Sequence, residues 1–194
     1  MHLLVGLGNP GREYESTRHN AGFDALRVLA GASNATAFRE KFNGEYATGT
    51  LAGEPVVLLR PLTFMNLSGQ CVQTASAFFK VAAAQIVVLH DELDVPLGQL
   101  RAKVGGGHAG HNGLRDIQAK LGTADFARVR IGIGRAPAGF TGSVADWVLA
   151  RFDAYERGEM DRVLGRVQPI VEAFIEGKVA RATALANAAP SSIP

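Results

Sequence analysis

Residues 1–22 read MHLLVGLGNPGREYESTRHNAG. The apolar run at 2–7 predicts a short buried strand, and the Gly-Asn-Pro-Gly behind it predicts a tight turn at the strand's carboxyl end. Gly6-Leu7-Gly8-Asn9-Pro10-Gly11 also spells the dinucleotide fingerprint GxGxxG. That fingerprint needs a loop opening directly into a helix, whose amino terminus holds the pyrophosphate, and an acidic residue about 20 positions further on. Here the polar stretch 12–18 follows, the helical pattern starts only near Asn20, and residues 31–36 supply neither strand nor acid. The motif is read as a strand-end turn that presents Asn9 at the carboxyl edge of a sheet, where ligands bind in open α/β sheets. A nucleotide-dependent oxidoreductase is the weakest reading of the chain.

Beyond this stretch, strand and helix patterns interleave. Strands are predicted at 45–51 and 56–59, as a hairpin around Ala52-Gly53-Glu54-Pro55, and at 86–89, 100–103 and 127–133. Helices are predicted at 20–29 with Asn20 as cap, at 66–81, at 113–121, and as one long helix over 153–176 that Pro169 bends and Gly177 ends. The fold class is α/β: one domain over residues 1–178 with a mixed, mostly parallel sheet sandwiched between helices in three layers. Residues 179–194, rich in Ala, Ser and Pro, read as a flexible tail. With 194 residues, 47% hydrophobic and 20% charged, the chain is ordinary for a globular domain, and no apolar run is long enough to span a membrane. Cys71 stands alone, so no internal disulfide forms; with no signal-peptide pattern at the start, a reducing cytoplasm is the expected location.

Charge is unevenly spread. Between Pro96 and Arg135, seven cations (Arg101, Lys103, Arg115, Lys120, Arg128, Arg130 and Arg135) face only Asp116 and Asp125. This predicts either a phosphate-bearing partner bound at one place or a solvated basic face. Four loop motifs carry candidate chemistry. Thr17-Arg18-His19-Asn20 offers a histidine beside the strand-end turn, a candidate general base or a merely structural ring. Phe64-Met65-Asn66 is a platform for a base or peptide, or core plus a helix cap. His90-Asp91-Glu92-Leu93-Asp94 closes the strand at 86–89; Asp91 can orient an imidazole, join His90 as a metal ligand, or sit in a solvated turn. The glycine-rich 105–113 brings His108 and His111 at i, i+3 and Asn112 at a helix start, where amides bind carbonyls, oxyanions or phosphates. Three function classes follow: a metal-free hydrolase using an imidazole, a zinc hydrolase using His90, Asp91, His108 or His111, and a non-catalytic RNA-binding module.

Five blocks, GLGNPGREYESTRHNAG, PLTFMNLSG, HDELDVPLG, GGGHAGHNGL and RVRIGIGR, together resemble the bacterial peptidyl-tRNA hydrolase family in order and spacing, from residue 3 to about residue 152. The resemblance implies a single α/β domain that acts as a monomer without metal or cofactor. It implies hydrolysis of the ester joining a peptide to the terminal ribose of transfer RNA. His19 corresponds to the base and Asp91 to the residue that orients it. Asn9 is linked to telling a peptide from a free amino group. Phe64, Met65, Asn66 and Asn112 belong at the substrate, Tyr14 at the transfer RNA end, and Lys103 and Arg130 at RNA phosphates. One departure concerns the loop at 136–142, where many members carry a lysine and this chain has none, leaving Arg135 as a partial substitute.

Overall fold

Alternation along β1 (His2–Gly6) sets the layering: Leu3 and Val5 turn to one face and Leu4 to the other, all fully buried. Both faces must then be covered by helices. The computed structural model describes residues 1–188. Six further strands follow: β2 (Arg39–Lys41), β3 (Gly44–Leu51), β4 (Glu54–Pro61), β5 (Ile86–Glu92), β6 (Leu100–Val104) and β7 (Ala127–Gly132). They form one sheet in the order β2-β3-β4-β1-β5-β7-β6. The central β4, β1, β5 and β7 pair in parallel, while β2 and β3 at one edge and β6 at the other pair antiparallel.

The helices are α1 (Ala21–Ala32), α2 (Ser68–Phe79), α3 (Asn112–Leu121), α4 (Val144–Leu149), α5 (Ala154–Leu164), α6 (Val167–Ile175) and α7 (Val179–Asn187). One core joins Leu4, Leu58 and Leu89 to α1, α5, α6 and α7. The other joins Leu3, Val57 and Val88 to Cys71, Val72, Leu114 and Ile117 of α2 and α3. The three-layer α/β/α expectation is met.

Four expectations are corrected. The helix foreseen over 153–176 is two helices, α5 and α6, separated at Gly165 and Arg166. Pro169 does not bend it; it sits in the first turn of α6, where a missing N–H costs nothing. Residues 179–187 of the foreseen tail are α7, with Ala182 and Ala186 fully buried against α6 and β6. Alanine is the best helix former, and its small side chain allows close packing without a strong apolar pattern. The remainder of that tail, 189–194, lies outside the described residues. Asn20 does not cap α1 by its side chain, which is engaged elsewhere.

Two contacts aim the turn Arg18–Asn20 at the sheet edge. The buried Arg18 guanidinium bonds Glu156 of α5 and the Arg151 carbonyl and stacks 3.8 Å over the Trp147 ring of α4. Gly22 lets α1 begin directly against Leu7, just past β1, and Leu89, midway along β5, since a Cβ there would overlap their carbonyl oxygens. Gly22→Ala is expected to cost about 1–3 kcal/mol through overpacking, read as a lowered midpoint in thermal unfolding; an unchanged midpoint would refute that close approach.

Candidate active site

The site is assembled at the carboxyl ends of the parallel strands. After β1 the chain runs through Leu7, whose N–H donates to the Leu89 carbonyl, to Asn9. Asn9 is buried, and its amide is fixed on three sides. Its backbone N–H donates to Asn20 Oδ1 (2.8 Å), its carbonyl accepts from Asn20 Nδ2 (3.0 Å), and its Oδ1 accepts from the Met65 N–H (2.8 Å). With Oδ1 occupied, what Asn9 offers the cleft it lines is its NH2 group. Asn20 therefore serves as a brace and not as a helix cap.

At the end of β5, Asp91 is almost fully buried, and one of its oxygens accepts two imidazoles. His19 Nδ1 lies 2.8 Å from Asp91 Oδ1, and His111 Nε2 lies 3.0 Å from the same atom. Nδ1–H on His19 leaves its Nε2 as a lone pair; among the described residues nothing hydrogen-bonds that nitrogen, and the ring lines the cleft. His111 is held by both nitrogens, because its Nδ1 accepts the Leu114 N–H as the cap of α3. Burial alone would lower the His19 pKa, but the Asp91 charge and hydrogen bond outweigh it, and the pKa is raised above 6.5. Burial likewise opposes the Asp91 charge, yet the flanking imidazoles hold its carboxyl well below the ordinary carboxylate range. His90 is fully buried and donates from Nδ1 to the Asp91 carbonyl (2.7 Å); burial, then the neighbouring His111, push its pKa well below 6.5, so it stays neutral.

These groups line a cleft of about 540 Å³. Asn9, His19, Asp91, His111 and Asn112 give it a polar side; Phe64, Met65, Leu93, Val144, Val148 and Leu149 give it an apolar one. Of the zinc ligands foreseen among His90, Asp91, His108 and His111, His90 and His108 are not brought together with the other two. His90 is interior, and His108 Nδ1 accepts the Gly110 N–H. Cys71 sits in the core, where burial pushes its thiol up to about 12, which removes it from thiolate chemistry.

A family model described as peptidyl-tRNA hydrolase matches residues 3–192. The chain belongs to the peptidyl-tRNA hydrolase family. It is 56% identical over 178 residues to the peptidyl-tRNA hydrolase of Sorangium cellulosum, covering 91% of this chain and 80% of the relative. It is 50% identical over 185 residues to that of Bordetella avium, covering 94% and 89%. The crystal structure of peptidyl-tRNA hydrolase from Acinetobacter baumannii superposes with a TM-score of 0.90 at 41% identity, covering 98% of this chain and 96% of that one. The reaction is therefore hydrolysis of peptidyl-tRNA at its ester bond.

Seen as a peptidyl-tRNA hydrolase, the chain brings most of its foreseen site residues together. Asn9, His19, Phe64, Met65, Asn66, Asp91 and Asn112 all line one cleft. Asn112 opens α3 with its Oδ1 accepting from Arg115 (2.8 Å). Tyr14, in the turn Arg12–Tyr14, does not line the cleft. Lys103 and Arg130 also lie outside it. The register Arg101↔Arg130 and Lys103↔Arg128 gathers four cations on one face of β6 and β7. Within that face Arg128 is buried, donating to the Gly106 and Gly107 carbonyls, and Arg130 Nε bonds Glu92 (2.9 Å). Burial, then Arg130 and Arg128, lower the Lys103 pKa. Arg135 pairs with Asp94 on the surface. His111 is the residue whose link to Asp91 the sequence did not suggest; its place just before α3 was the available signal. In an NMR titration His19 is expected to titrate above 6.5, and in Asp91→Asn, with the raising charge gone, to titrate lower; an unmoved value would disconnect the pair.

Proposed function

We propose that His19 is the general base of peptidyl-tRNA hydrolysis and Asp91 the residue that orients it. The observation that carries this reading is the 2.8 Å bond from His19 Nδ1 to a buried carboxylate, which leaves Nε2 unpartnered on the cleft. A water beside Nε2 gives up a proton to it while its oxygen attacks the ester carbonyl carbon. The tetrahedral oxyanion meets amide donors: the Asn9 NH2, the Asn66 side chain and the N–H groups at the start of α3. Collapse expels the ribose oxygen, which takes the proton back from the His19 imidazolium and leaves an intact transfer RNA end and a peptide carboxylic acid, which loses its proton to solvent. The ionised Asp91 stabilises the imidazolium between these steps. No metal is needed for this sequence of steps.

Asn9 also supplies discrimination. An NH2 donor fixed in the cleft pairs with the carbonyl of a peptide or N-blocked amino acid, whereas a free aminoacyl group presents an ammonium there. Phe64 and Met65 support the terminal base or the peptide, Asn66 and Asn112 bind around the ester, and Tyr14 contacts the transfer RNA end. Lys103 and Arg130 meet RNA phosphates, and the protein works as a cytoplasmic monomer. Among the described residues no helix is long and apolar enough to cross a membrane.

Three outcomes test this. His19→Ala should lower kcat by about 10²–10⁴ on an N-blocked aminoacyl-tRNA while transfer RNA binding is retained; near-normal turnover would remove His19 as the base. The unblocked aminoacyl-tRNA should remain intact with the wild-type protein. Lys103→Ala should weaken RNA binding and flatten its dependence on log salt by about one unit, with single-turnover chemistry at saturation unchanged.

A further inference from the structure

Among the described residues, one group of three histidine and carboxylate side chains brings its donor atoms within 4.8 Å of one another: His19, Asp91 and His111. We propose that this group is an inhibitory site for a single first-row transition-metal ion, with Zn2+ the best fit, whose binding switches off the base. Two imidazoles and one carboxylate with an open fourth position are the donor set of many zinc sites and of the facial triad of iron enzymes. The cleft over the three residues supplies that open position for a water.

Two of the three distances between donor atoms are close to those required. His19 Nδ1 and His111 Nε2 lie 2.8 and 3.0 Å from Asp91 Oδ1. Zinc bonds of about 2.0–2.2 Å in a tetrahedron separate ligand atoms by roughly 3.3–3.5 Å, so these two edges need open only by about half an ångström. The three backbones are held independently of the side-chain bonds the metal would replace. Asp91 is paired with Ile131 in the sheet, the Arg18 N–H donates to the Ala150 carbonyl, and the His111 N–H donates to the His108 carbonyl. A weakly bound metal thus meets donors already assembled.

Protons balance without any being released from the neutral rings. Asp91 is already ionised. The His19 proton leaves Nδ1 for Nε2 through solvent as Nδ1 takes the ion, and the His111 proton moves from Nε2 to Nδ1. The second shift sets an N–H against the Leu114 N–H and breaks the cap of α3. That lost bond keeps the site weaker than a structural zinc centre, so the ion is a reversible inhibitor and not a resident cofactor. The first shift leaves His19 with a proton on the nitrogen that must accept one, and the water-activating lone pair is gone. Protons compete for the same rings, so inhibition weakens as pH falls. Ion binding stands on geometry alone; only its inhibitory effect rests on His19 being the base.

The test uses the full chain and the metal alone before any substrate is added. Calorimetric titration with Zn2+ should give one ion per chain, and Co2+ should give the visible absorption of a low-symmetry four-coordinate site. His111→Ala and Asp91→Asn should each weaken binding by at least about tenfold. His108→Ala, on the same loop but outside the group, should bind as the wild type does. In turnover assays Zn2+ should abolish release of the N-blocked amino acid, and EDTA should restore it. No binding, binding unchanged in His111→Ala, binding lost in His108→Ala, or turnover unchanged or raised by bound Zn2+ would each overturn the proposal. Circular dichroism checks each fold, and His111→Gln replaces His111→Ala if the latter unfolds. Failure of the titration leaves the general-base reading intact; an active His19→Ala enzyme removes that reading and leaves the titration standing.

Discussion

A single carboxylate oxygen holds the site together. Asp91 Oδ1 accepts from a histidine that precedes α1 and from another that caps α3, while its backbone is paired with Ile131 of β7. Three distant segments of chain are thereby fixed within one hydrogen-bond radius of one atom. Burying a carboxylate is costly unless it is paired and hydrogen-bonded, and here both donors come from short segments outside the sheet. The charge therefore does two things at once: it joins the two rings at one atom, and it sets which ring nitrogen of His19 is left bare. The turn carrying His19 is in turn pinned from behind by Arg18 on Glu156 and Trp147.

Much of this was legible in the sequence because periodicity and turn chemistry are local. The apolar run before Gly6, the hairpin around Ala52-Gly53 and the strand ending at His90-Asp91 all appear as read, with bounds shifted by one to three residues. Where the reading failed, the deciding contact was remote. α7 depends on two alanines finding a groove beside α6 and β6. The division of α5 from α6 coincides with Arg166 reaching the carbonyls of Leu185 and Ala188, which pattern along 153–176 does not reveal. β2 carries only exposed Arg39, Glu40 and Lys41 and becomes a strand by pairing with β3.

The site shows the same division. His19, Asp91, Asn9, Asn66 and Asn112 stood out because each follows a strand end or opens a helix. His111 was visible only as half of an i, i+3 histidine pair, a spacing that suggested metal and pointed to His108. The pair is split by the turn at Gly110, which sends one ring to Asp91 and leaves the other on its own loop. The basic stretch between Pro96 and Arg135 was legible as charge but not as shape. Only the register of β6 on β7 shows that four of its cations share a face and that Arg128 is spent on the glycine loop.

The bond from the Met65 N–H to Asn9 Oδ1 makes the site depend on Asn9 remaining an amide. An aspartate there would turn a donor into a negative charge on the cleft wall. Asparagine ages to aspartate chiefly when the nitrogen of the next residue attacks the side-chain carbonyl, and Asn9 is followed by Pro10, whose ring nitrogen carries no hydrogen to give up. Asn112 is followed by Gly113 and has no such shield from its neighbour. The residue that sets the donor character of the cleft is thus also the one whose covalent neighbour protects it from chemical wear.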